Sequence, residues 1–195
     1  MNLVNLNIMN NIIKKLQTKI DNDLNNIYSS GPMSLVETFN YVMSGKGKRI
    51  RPILTLLTSK SLFNDYKKSY NAALAVEILH NFTLVHDDIM DNDAVRHGKK
   101  TIHKKWDTSS AILAGDGIYT IAQILLTEVS TNKNQIYGYF NKIVLEICEG
   151  QAEDKEFENL KTVSENSYFR MIKKKTGALL SAATVLPAIY NNESE

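Results

Sequence analysis

Apolar residues recur at spacings of three and four along most of this chain. Ile12, Leu16, Ile20, Leu24 and Ile27 form one stripe with polar residues between them, which predicts an amphipathic helix ended by Ser29-Ser30-Gly31-Pro32. A short second helix is expected from Ser34 to Met43. The basic stretch Ser44-Gly45-Lys46-Gly47-Lys48-Arg49 reads as a loop, and Pro52 suits the first turn of a third helix running to about Phe63. Ile53 to Thr58 has strand propensity, but its length and its position after Pro52 favour helix. Tyr70 to Asp91 reads as a long helix and Asn92 to Lys105 as a polar, basic loop. Further helices are expected at Ser109–Val129, Lys133–Phe157, Ser164–Lys175 and Gly177–Tyr190.

Only three prolines and nine glycines interrupt 195 residues, so an all-α fold of long helices is expected. There is no internal repeat, low-complexity block or linker, and residues 1–195 read as a single domain. The most apolar stretch, Ala111 to Val129, carries Gly115, Asp116, Gly117, Gln123 and Glu128. It therefore reads as a buried helix, and no transmembrane segment is expected. The N-terminus has no continuous apolar core, so no secretory signal is expected either. A hydrophobic content of 43% with 23% charged residues fits a folded globular chain. The formal net charge is only +2, and no global field points to nucleic acid. Cys148 is the single cysteine, which excludes an intramolecular disulfide and suits the reducing cytoplasm. Lying after the apolar run from Ile143 to Ile147, it is expected to be a buried, inert thiol.

The chemistry concentrates in His86-Asp87-Asp88-Ile89-Met90-Asp91. Asp87 and Asp91 are four residues apart and Asp88 and Asp91 three, so on a helix all three can share one face. Carboxylates at a helix C-terminus oppose the helix dipole and repel each other. A hard cation reverses that sign, because Mg²⁺ takes carboxylate oxygens together with water and substrate phosphates. A solvated acidic helix end is the bland alternative. Against it stands the company this cluster keeps. Gly47-Lys48-Arg49-Ile50-Arg51-Pro52 places cations at a helix start, where phosphate oxygens are readily bound. His80 lies two helical turns before Asp87. Arg96, His97, Lys99 and Lys100 follow directly, and Gly150-Gln151 with Asp154 and Lys174-Lys175-Thr176-Gly177 fall on later helices. Carboxylates that favour a divalent cation, among separate lysines and arginines and beside apolar helix faces, describe a site for diphosphate esters.

On these residues the chain resembles the trans-isoprenyl diphosphate synthases, the polyprenyl synthetase family. GKRxRP is matched from Gly47 to Pro52. ExxHxxxLxHDDxxDxxxxRxG is matched by Glu77, His80, Leu84, His86, Asp87, Asp88, Asp91, Arg96 and Gly98. GQxxD and KT are matched by Gly150, Gln151, Asp154, Lys175 and Thr176, and Leu113-Ala114-Gly115-Asp116 fits a further, mainly structural segment. The resemblance implies an isoprenoid-synthase-type helical bundle around a central cavity, in a homodimer. It implies a Mg²⁺ (or Mn²⁺) dependent prenyltransferase that joins isopentenyl diphosphate head to tail to an allylic prenyl diphosphate. Asp87, Asp88 and Asp91 would hold the metal against the allylic diphosphate, gripped also by Arg96, Lys175 and Thr176. Lys48, Arg51, His80 and His97 would hold isopentenyl diphosphate, with Gln151 near the reacting centre. Phe82 and Thr83, five and four residues before Asp87, would set the cavity depth and suggest farnesyl or geranylgeranyl diphosphate as product.

Two features depart from the family pattern. His97 stands where an arginine is usual, which makes that charge sensitive to pH near neutrality. No second aspartate-rich motif occurs before Glu195, so the sequence reads as C-terminally incomplete, with part of the cavity wall beyond it. Alternative expectations are therefore a truncated or non-catalytic subunit of a prenyl diphosphate synthase. A terpene cyclase would have no use for the second diphosphate site that Lys48, Arg51 and His80 suggest.

Overall fold

The computed structural model describes residues 3–45, 47–128 and 132–191; Lys46 of the basic loop and Val129, the expected end of a helix, lie outside the described residues. The chain forms α1 (Leu3–Asn25), α2 (Met33–Met43), α3 (Ile50–Phe63), α4 (Tyr70–Met90), α5 (Ile102–Lys105), α6 (Thr108–Thr127), α7 (Lys133–Phe157), α8 (Glu165–Ile172) and α9 (Ala178–Asn191). A 3₁₀ turn, Lys67–Ser69, precedes α4. The all-α expectation holds.

The interior is organised around α4. Ala72 to Leu79 are buried without a break, and a helix apolar all round belongs at the centre of a bundle. Its alanines let α6 lie close against it through Ala111, Ala114, Gly115, Ile118 and Ala122, with α3 and α9 covering other sides. Gly115 has a specific reason: a Cβ there would come within 2.2 Å of His86 Nε2. By length and composition α6 is apolar enough to cross a membrane, the one such helix among the described residues. The sequence predicts it as a buried helix, and that describes one face only. Ile112, Leu113 and Ile124 on its other face are exposed.

Three local features depart from the sequence-based expectation. Leu16, Ile20 and Leu24 of the first stripe are buried, whereas Ile12 is exposed and Ile27 lies beyond the helix end. The polar stretch before Lys105 contains a hairpin, β1 (Val95–Arg96) and β2 (Lys99–Lys100), antiparallel with Val95 opposite Lys100, followed by α5. His97 (φ 50°) and Gly98 (φ 77°) are both left-handed, as a tight two-residue hairpin requires. Strands of two residues are too short to show alternation, and so the pattern concealed them. Finally, the two predicted C-terminal helices are joined: a π-helical turn, Lys173–Gly177, links α8 directly to α9.

That π-turn rests on Gly150. A Cβ on Gly150 would sit 2.4 Å from the Lys175 backbone nitrogen and 2.8 Å from the Lys174 Cβ. Gly150→Ala is therefore expected to lower stability in urea unfolding. The overpacking of about 1–3 kcal/mol exceeds the roughly 1 kcal/mol that alanine gains over glycine in a helix. A variant as stable as the parent would show that the turn can step back freely.

Candidate active site

The basic loop enters α3 through Arg49, which adopts a left-handed backbone (φ 49°) and is almost wholly buried. Its guanidinium donates to Glu77 Oε1 of α4 at 2.8 Å, to Asp21 Oδ1 of α1 at 2.7 Å, and to the carbonyls of Met43 and Gly45. Burial disfavours the charge, but Glu77 and Asp21 outweigh it and hold the pKa above the ordinary guanidinium value. The loop is thereby pinned to α4 one turn before His80. Arg51, one helical step into α3, faces a cavity.

Two cavities flank the end of α4 and share His80 and Leu84. The larger is about 400 Å³. Its floor is apolar, with Leu79, Phe82, Val144, Ile147 and Leu179, while Arg51, His80, Asp87, Gln151, Lys155, Lys175 and Thr176 give it a polar mouth. The smaller, about 270 Å³, is lined by Arg49, Asp88, Arg96, His97, Lys99 and Lys100. Arg51 Nε and Gln151 Nε2 are buried without a hydrogen bond, and Asp87 Oδ1 has only a long ion pair with Lys175, so the larger cavity holds polar capacity that the chain itself uses little.

The three carboxylates do not share one face. Asp87 lies 3.5 Å from Lys175 Nζ in the larger cavity, while Asp91, exposed and outside both cavity linings, lies 3.2 Å from Nζ of the cavity-lining Lys155. Asp88 turns to the other side of α4, where it is buried and bonded to Arg96 Nε. The reason is rotational: Asp87 and Asp91 are separated by nearly a full turn, whereas Asp88 is offset by about 100° from Asp87. Burial pushes the Asp88 carboxyl above its usual range, against the pull of Arg96. Among the described residues no three His, Cys, Asp or Glu side chains converge tightly enough to form a cation cage. Asp87 on the cavity, with Asp91 one turn further on beside a cavity-lining lysine, offers the few carboxylates that a Mg²⁺ ion shared with a phosphate ester needs instead.

Lys175 is held at 2.5 Å by Asp154, which places the GQxxD and KT segments side by side. Thr83 donates its hydroxyl to the His80 carbonyl, and Phe82 leans on His86 and Tyr119 with ring centroids 4.6 and 5.3 Å away. His97 is exposed at the hairpin turn and lines the smaller cavity. Lys48 is exposed and lines neither. Cys148, expected to be buried, is exposed on α7, at the wall of the larger cavity. Partial burial at that wall still pushes the thiol pKa above the ordinary value. Lys155 belongs to no motif read from the sequence; its partner Asp91 is 64 positions away, and only the fold brings them together.

An all-α bundle with cations and carboxylates at the mouth of an apolar cavity is the architecture of isoprenoid synthases, and comparison with known proteins agrees. The solved geranylgeranyl pyrophosphate synthetase of Geoglobus acetivorans superimposes with a TM-score of 0.90 at 37% identity, over 94% of this chain and 61% of that one. The polyprenyl synthetase profile matches residues 32–195, and the chain belongs to the polyprenyl synthetase family. It is 41% identical over 167 residues to a geranylgeranyl pyrophosphate synthase of Geoglobus acetivorans, covering 84% of this chain and 52% of the relative. It is 40% identical over 195 residues to a short chain isoprenyl diphosphate synthase of Methanocaldococcus jannaschii, covering 99% and 57%. The chain thus spans about half the length of the curated relatives it matches.

His80 generates a pH prediction. Burial, then the charges of Arg51, Arg49, Arg96 and His97, push its pKa down to about 3, so it is neutral in the fold. The unfolded imidazole takes its proton near 6.5. Between those values the unfolded state binds more protons, and stability falls as pH falls. His80→Asn is expected to flatten the acid limb of stability measured by urea unfolding below about pH 6.5. An unchanged limb would mean that the imidazole is protonated in the folded chain.

Proposed function

We propose that this protein is a Mg²⁺-dependent prenyltransferase that condenses isopentenyl diphosphate with an allylic diphosphate. The observation that carries the reading is the larger cavity: an apolar floor for a prenyl chain under a mouth where Arg51 and Gln151 present buried polar atoms without a hydrogen bond, beside Asp87 and Lys175. The names of the relatives, geranylgeranyl and short chain isoprenyl diphosphate synthases, support it.

In this reading Asp87 and Asp91 hold the divalent ion, and Asp88 serves by fixing Arg96. Bound Mg²⁺ supplies charge neutralisation that makes diphosphate a good leaving group. Lys175 grips the allylic diphosphate, its charge maintained beside Asp87 and Asp154, and Thr176 lies next to it. Arg51 and neutral His80, with Lys48 and His97 at the outer edge, hold isopentenyl diphosphate. The allylic C–O bond breaks with its electron pair leaving on diphosphate, and Gln151 lies beside the developing cation. The isopentenyl double bond attacks, and the proton then lost goes to the departing diphosphate. Positioning and fixed charge account for the catalysis, with no acid–base residue of the chain required. Phe82 and Thr83 limit the floor, which favours farnesyl or geranylgeranyl diphosphate. The exposed apolar face of α6 suits a homodimer, and the cytoplasm suits the unpaired Cys148.

The test is calorimetric titration of inorganic pyrophosphate into the chain with Mg²⁺, beside a product assay with labelled isopentenyl diphosphate. Mg²⁺-dependent binding is expected, weakened by at least about tenfold in Asp87→Asn/Asp91→Asn, since one charge-assisted contact is worth roughly 1.5–3 kcal/mol. Binding indifferent to both Mg²⁺ and the double variant would overturn the reading. Binding without prenyl product from the chain would favour the accessory-subunit alternative.

Phe82→Ala is expected to lengthen the prenyl product, resolved by chromatography after dephosphorylation, because it removes a ring from the cavity's apolar lining. An unchanged length would leave Phe82 a role in packing against His86 and Tyr119 alone.

A further inference from the structure

The acidic end of α4 and the last turn of α7 meet at Lys155. Its ammonium lies 3.2 Å from Asp91 Oδ1 and 2.7 Å from Glu158 Oε1, and its side chain lines the mouth of the larger cavity. Glu158 is three residues further, at the C-cap of α7, so Lys155 is shared between an acid at the end of its own helix and one at the end of α4. One turn earlier the same pattern recurs: Lys175 is shared between Asp154 of α7 and Asp87 of α4. Asp87 and Asp91 thus each meet a lysine, and each lysine has a second acid, Asp154 in α7 or Glu158 just past its end, four residues apart.

Resting on the reading that Asp87 and Asp91 hold a divalent ion, we propose that Lys155 is a built-in competitor for that ion at Asp91, with Glu158 as the carboxylate to which it withdraws. An ammonium in contact with Asp91 Oδ1 and a divalent ion on the same carboxylate repel, so each weakens the other's hold on it. The exchange requires little movement, because Lys155 already donates to Glu158 and the side chain is only partly buried. Lys155 therefore sets how much metal the site demands, and Glu158 sets how readily the lysine lets go. Neither residue has to touch the substrate to do this; both act through Asp91.

The opposite signs expected for these neighbours make the test specific. Mn²⁺ binding to the full chain is measured by electron paramagnetic resonance of the free ion, alone and with inorganic pyrophosphate. Lys155→Met is expected to tighten Mn²⁺ binding about tenfold, the effect of removing a unit charge about 6 Å from a divalent ion at a water-like dielectric. Glu158→Gln is expected to weaken it about threefold, because the lysine then has Asp91 alone. Loss of folding, checked by thermal melting, cannot give one gain and one loss. Unchanged or weakened binding in Lys155→Met overturns the proposal, as does unchanged binding in Glu158→Gln. Asp91→Asn separates the two levels: if Mn²⁺ binding is indifferent to it, the assignment of Asp91 as a metal ligand fails, and the role of Lys155 fails with it.

Discussion

The architecture of the site depends on one buried ion pair, Arg49 with Glu77. Both side chains are about 5% exposed, and the guanidinium also reaches Asp21 and two carbonyls at the end of α2. Elements α1, α2, α3 and α4 thus converge on a single cation. Such a pair is an uncertain source of net stability, since desolvation offsets much of the attraction. Removing one partner, however, strands a buried charge at a cost of about 3–5 kcal/mol. Its structural consequence is positional: it forces Arg49 into a left-handed backbone and fixes where α3 starts. Arg51 therefore faces the same cavity as His80.

A second constraint follows from placing carboxylates at the C-terminus of a helix. The dipole of α4 disfavours Asp87, Asp88 and Asp91 there, and their mutual repulsion adds to it. The fold answers with cations on every side: Lys175 and Arg96 at Asp87, Arg96 at Asp88 and Lys155 at Asp91. These cations come from three different segments, the π-turn, the hairpin and α7, so charge balance at one helix end also fixes the positions of the surrounding walls. The close approach of the π-turn needs the missing side chain of Gly150, and His86 needs that of Gly115. Gly115 and Gly150 are thus explained by contact, whereas Gly98 of the hairpin is explained by its left-handed backbone.

The cavity itself results from unequal packing around α4. Along its first half, alanines meet the small residues of α6 and exclude all space. Toward its end, Leu79, Phe82 and Thr83 face α7 and α9 across a gap that they do not fill. Apolar floor and charged mouth are therefore successive parts of one helix, set by where its sequence changes from small and aliphatic to acidic.

The sequence alone determined the helical class, most helix boundaries and the inventory of charged groups, because a stripe repeating every three to four residues and a proline at a helix start are local signals. It also brought Gly47 to Pro52, His80, the aspartates, Gln151 and Lys175 into one argument through their order along the chain. It could not decide which way each carboxylate faces. Spacing places Asp88 near Asp91, yet the burial of α4 on both sides sends Asp88 to Arg96, which also reaches Asp87, and leaves the lysines to Asp87 and Asp91. Nor could it find Lys155, the exposed Cys148, the two-residue strands or the π-turn. Those depend on contacts between segments far apart in sequence, and on backbone geometry imposed by neighbours. Periodicity carries no information about partners 64 residues away; the packing of α7 against the end of α4 supplies it.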